Sequence, residues 1–75
     1  MNAHPLDIIR DFDIARDNRV ATSNDGWREI TARLAAGCRA LGATLTPSTG
    51  HAETDACLAA DVLWEAYTDA KEAMF

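Results

Sequence analysis

The densest run of chemically capable side chains is His51-x-Glu53-x-Asp55-x-Cys57. All four are metal-ligand types. On a helix, however, residues two apart point about 200° from one another, so the four cannot converge on one ion. Glu53 and Asp55 instead suit a first helical turn, where negative charge complements the positive end of the helix dipole. No metal and no cofactor are expected.

Cys38 and Cys57 are the second candidate. They are too far apart for a CxxC site and too few for a disulfide framework. Each falls near the apolar edge of an amphipathic run, where cysteine packs as a small hydrophobe. A helical hairpin turning near Pro47 and Ser48 would bring the two level, which keeps a switchable disulfide among the readings. No nucleophile is evident. Ser23 and Ser48 sit at expected helix caps with no histidine beside them, and there is no Gly-rich phosphate loop or HExxH. A 75-residue chain also leaves little room for a catalytic pocket of ~300 Å3 and the side chains that would support it. The chain is not expected to be an enzyme.

The elements that position these residues read as helices. Periodicity is helical and strand-like alternation is nearly absent. The expected fold is all-α, one small domain over residues 1–75, with three helices. The first starts near Pro5, which suits a first-turn position, and reaches Asn18 or Arg19. Its apolar side is Leu6, Ile8, Ile9, Phe12 and Ala15, with Ile14 off the stripe. The break Thr22-Ser23-Asn24-Asp25-Gly26 offers Thr22, Ser23 and Asp25 as caps. The second helix is expected from Gly26 to Thr44. Its stripe, Trp27, Ile30, Leu34, Cys38, Leu41 and Leu45, runs at steps of 3, 4, 4, 3 and 4. Gly37, at the edge of the stripe, suggests close helix approach; Gly42 is a candidate for an earlier end. After Pro47 the third helix is expected from His51 to the C-terminus, forming an antiparallel hairpin with the second.

The third helix carries two surfaces. Ala56, Ala59, Ala60, Leu63, Ala66, Tyr67, Ala70, Ala73 and Met74 fill a broad arc, which Cys57, Trp64 and Phe75 widen further. The arc is wider than the stripe of a little over ~100° that two neighbours cover. Ala59, Leu63, Trp64, Ala66, Tyr67, Ala70 and Met74 are therefore the expected face for self-association, most simply a homodimer, or for docking. The opposite face bears Asp61, Glu65, Asp69 and Glu72 at steps of 4, 4 and 3. It suits a protein partner with a basic surface, such as a groove that normally takes nucleic acid. Asp7, Asp11 and Asp17 extend this field, while Arg28, Arg33 and Arg39 are expected to pair with acids of the third helix.

Twelve acidic against seven basic residues leave a net charge of −5, which argues against direct binding to nucleic acid or an anionic membrane. No apolar run reaches the ~18–20 residues of a membrane span. The first seven residues have no basic and apolar leader pattern, so a cytoplasmic setting with reduced thiols is expected. The expected function is that of a non-catalytic protein-binding regulator or inhibitor. Size and charge are similar to those of phage-encoded inhibitors of host defence, anti-CRISPR proteins among them, a likeness of bulk character alone. The alternative is a structural or assembly module docking through the alanine and aromatic face.

Overall fold

A computed structural model describes residues 4–18, 21–45 and 47–73. They form three helices, α1 (Pro5–Asp17), α2 (Asn24–Ala40) and α3 (Ala52–Ala73), with no strand among the described residues. Met74, Phe75 and Arg19 lie outside the described residues.

Each helix end has a local cause. Pro5 opens α1 in its first turn, and the cap is His4, whose Nδ1 accepts the Leu6 N–H at 3.1 Å. His4 is thus tied to the start of α1 while remaining exposed. Ser23 caps α2, its Oγ accepting the Gly26 N–H at 3.1 Å. Thr22 instead donates its hydroxyl back to the carbonyls of Ala15 and Asn18, closing the turn between α1 and α2. Helix α2 stops four residues before the expected Thr44. Gly42 adopts φ 75°, and the N–H groups of Gly42 and Ala43 bond to the carbonyls of Arg39 and Cys38. This paired closure satisfies the last carbonyls, and only glycine enters its left-handed position without strain.

The core draws on all three helices: Ile8, Phe12 and Ala15 from α1; Trp27, Leu34 and Cys38 from α2; Ala56, Ala59, Ala60 and Leu63 from α3. Phe12 meets Trp27 edge-on with centroids 6.2 Å apart. Gly37 lies where α2 comes closest to its neighbours. A Cβ there would fall 3.2 Å from Leu63 Cδ1 and 3.3 Å from Ile8 Cδ1, as the sequence suggested for this residue. Gly37→Leu is expected to lower stability by about 1–3 kcal/mol through overpacking, read as a lower urea midpoint with unchanged slope.

The antiparallel hairpin of α2 and α3 is not what the contacts describe. Gly37 abuts Leu63, and the Cys38 thiol reaches the Ala59 carbonyl. Towards the other end Thr31 shares a hollow with Asp55 and Ala59, and Asn24 and Arg28 share one with residues 50–55. Residue numbers rise together along both helices, so α2 and α3 run parallel. Helix α1 runs against both: Ile8 meets the Gly37 level, Asp11 pairs with Arg33, and His4 meets Tyr67. The link over residues 41–51 must therefore return along the whole of α2. That is feasible: 17 residues of helix span about 25 Å, and eleven extended residues reach up to ~36 Å. Along the way Ala43 and Leu45 pack against the core.

A candidate protein-binding face on α3

The parallel arrangement sets which side of α3 remains open. Helices α1 and α2 take the side bearing Ala56, Ala59, Ala60 and Leu63, all buried, with Leu63 fully so. Two members of the expected docking face are thereby corrected: Ala59 and Leu63 are enclosed by the chain's own helices and cannot meet a partner. Ala66, Tyr67 and Ala70 are half-buried, and Trp64 is 52% exposed. The Trp64 ring leans on Tyr67 at 6.4 Å between centroids, and Tyr67 receives the His4 ring edge-on at 5.7 Å. The exposed indole is thus part of a supported aromatic row. Helix α3 continues six residues, about 9 Å, beyond Tyr67, where α1 has already begun.

Asp61, Glu65, Asp69 and Glu72 are all exposed on the opposite side. Of the three arginines expected to pair with them, Arg28 and Arg33 are engaged elsewhere and Arg39 makes no ion pair among the described residues. Arg28 pairs with Asp25 at 3.7 Å on its own helix, and Arg33 pairs with Asp11 of α1 at 3.1 Å. Asp7 and Asp13 of α1 likewise meet Arg10 and Arg16. Much of the acidic field of α1 is therefore neutralised locally. Among the described residues no ion pair reaches the four carboxylates of α3. Like charges at these spacings oppose one another by a few tenths of a kcal/mol per pair. Trp64 flanks the stripe, one helical turn from both Asp61 and Thr68.

At the other end, Asn24, Arg28, Ser48, His51 and Asp55 border an open hollow of about 550 Å3 between the starts of α2 and α3. Chain length alone suggested little room for such a recess; it exists because the parallel packing brings the starts of α2 and α3 side by side. Ser48, His51 and Asp55 meet there without forming a nucleophile–base relay. Ser48 donates its hydroxyl to the Asp55 carboxylate at 2.7 Å and accepts the Gly50 N–H. Asp55 also accepts the Thr49 N–H and hydroxyl, each at 2.8 Å. These bonds hold its carboxyl below the usual carboxylate range, the Ser48 bond contributing most. Among the described residues no group of three or more His, Cys, Asp and Glu is placed to hold a metal ion.

The sign of the Asp55 effect follows from linkage. The contribution is fully present above about pH 4, the ordinary aspartate range, and disappears as pH falls through the depressed value. Asp55→Ala is therefore expected to be less stable than the parent at pH 7. The gap between the two urea midpoints should close on acidification below that range.

The thiols lie apart in role. Cys38 is fully buried and donates to the Ala59 carbonyl at 3.7 Å; burial pushes its thiol up, against a smaller opposing effect of Arg39. Cys57 precedes Ala59 by two residues and points about 200° away from it around the helix. The two cysteines thus remain nearly level, but Cys57 leaves α3 on a different side from the one Cys38 meets, and no disulfide joins them. No helix is long and apolar enough to cross a membrane, among the described residues.

Comparison with family models, with curated proteins and with solved structures returned no match to the chain.

Proposed function

We propose that the chain is a non-catalytic regulator or inhibitor that binds a basic protein surface through Asp61, Glu65, Asp69 and Glu72. The observation that carries this reading is the contrast in charge pairing. Four arginines have acidic partners in α1 or α2, whereas among the described residues the α3 stripe has no cationic partner. Exposed carboxylates in a row mimic the charge spacing of a polyanion, so a site lined with Arg and Lys that otherwise takes nucleic acid is the fitting target. A phage-type inhibitor of host defence, of the anti-CRISPR kind, is one such role. The cytoplasm is the setting in which such a target would be met.

The exposure of Trp64 favours a second reading, an assembly module that docks through Trp64, Ala66, Tyr67 and Ala70. Tryptophan and tyrosine are enriched among residues that anchor interfaces. A second copy of the chain is one occupant of this face, giving a homodimer.

A labelled arginine-rich peptide, followed by fluorescence anisotropy at low and high salt, separates the two. Binding through the stripe is weakened by salt and by Asp61→Asn, Glu65→Gln, Asp69→Asn and Glu72→Gln together. Binding that survives both changes but fails with Trp64→Ala assigns the contact to the aromatic face and overturns the acidic reading.

A further inference from the structure

We propose that Trp64 and Glu65 form a seat for one arginine side chain of the basic partner, its guanidinium lying over the indole and pairing with the carboxylate. This rests on the reading of α3 as a binder of basic surfaces, and adds that the face prefers guanidinium to ammonium. The chain carries the pattern on its own first helix. There the Arg16 guanidinium lies 5.6 Å from the centroid of the Phe12 ring and pairs with Asp13 at 3.2 Å. The spacing is Phe12-Asp13-x-x-Arg16. Helix α3 repeats the first two members as Trp64-Glu65, but Thr68 stands in the arginine's place. That position neighbours both others, being three and four residues on. Thr68 turns its hydroxyl back onto the Trp64 carbonyl at 2.8 Å, so it offers the pair no charge. Among the described residues no cation lies over Trp64 and no ion pair reaches Glu65.

The seat is open and braced. Trp64 and Glu65 are both exposed. The indole leans on Tyr67, which His4 supports in turn, and a braced ring has less freedom to lose on binding. Asp61, three residues before Trp64 and four before Glu65, is a second exposed carboxylate beside the ring. The one basic residue of α3, Lys71, stands seven residues beyond Trp64, so an incoming cation is favoured at the Asp61 end. A guanidinium is planar, stacks on aromatic faces and pairs with a carboxylate through two parallel hydrogen bonds; an ammonium is a compact, strongly hydrated point charge.

The test uses two labelled peptides of equal length and charge, one built on arginine and one on lysine, titrated against the full chain by fluorescence anisotropy at low salt. The parent should bind the arginine peptide more tightly. Trp64→Leu should reduce that arginine-over-lysine ratio by about two- to fivefold, the size of an exposed cation–π contact. Trp64→Phe retains a ring and should keep part of the preference. Thr68→Arg recreates the α1 pattern and fills the seat from within the chain, so it should lower the ratio more than Thr68→Lys, which adds the same charge. Trp64 is exposed, so its variants should keep the parent's circular dichroism. In NMR spectra the bound arginine Hδ protons should move upfield under the indole ring current with the parent and not with Trp64→Leu. A ratio near one in the parent, or one that Trp64→Leu leaves unchanged, overturns the seat while salt-dependent binding of both peptides still upholds the acidic face. Failure of both peptides to bind overturns the two together.

Discussion

Neutralising the α3 stripe by the four substitutions Asp61→Asn, Glu65→Gln, Asp69→Asn and Glu72→Gln is expected to weaken binding to an arginine-rich peptide by tenfold to a hundredfold at low salt. Exposed charge pairs contribute about 0–1 kcal/mol each. Four of them acting on one partner reach ~1.4–3 kcal/mol, and each 1.4 kcal/mol is a factor of ten in affinity. Screening gives an independent check, because the Debye length falls from ~10 Å at 0.1 M salt to ~3 Å at 1 M. The parent should therefore lose affinity steeply with salt, whereas the neutralised chain should respond weakly. All four side chains are exposed and have no cationic partner among the described residues. The substitutions should leave the urea midpoint unchanged or slightly raised, since like-charge repulsion along α3 is relieved.

Leu63→Ala is expected to have the largest effect on the fold. Leu63 is fully buried, and its two terminal methyls are the groups that approach Gly37. Truncating a buried leucine costs about 2–5 kcal/mol, more where the surroundings cannot collapse into the space. Glycine at position 37 supplies no side chain to fill that space. A chain of 75 residues has only ~3–5 kcal/mol of net stability to lose. The variant should show little helical circular dichroism at 37 °C, or a urea transition beginning in water. A cooperative transition within a few degrees of the parent would show that α3 does not rest on this contact.

The helices were largely legible because their signals are local. Pro5 marks the start of α1, Ser23 was among the expected caps of α2, and Gly37 and Gly42 behave as glycine at those places suggests. The direction of α3 was not legible. Periodicity assigned Leu45 to the stripe of the second helix, which shortened the link and made a hairpin the simplest connection. Leu45 does pack on the core, but from beyond the end of α2, and a single apolar residue gives the same signal in either setting. His4 was missed as a cap because histidine is not among the residues favoured there. On α3 the acidic row followed directly from its spacing. The alanine face did not divide so cleanly: Ala59 is buried and Ala70 half-buried, a difference set by where α1 and α2 end and not by residue type.

The central claim is that the outward face of α3 is the recognition surface. Its most direct test is amide and indole chemical-shift mapping while an arginine-rich peptide is titrated into the labelled chain. Shifts concentrated at Asp61, Trp64, Glu65, Asp69 and Glu72, reversed by added salt, are the predicted result. Shifts centred on the hollow around Arg28 and His51, or spread evenly over all three helices, would contradict it.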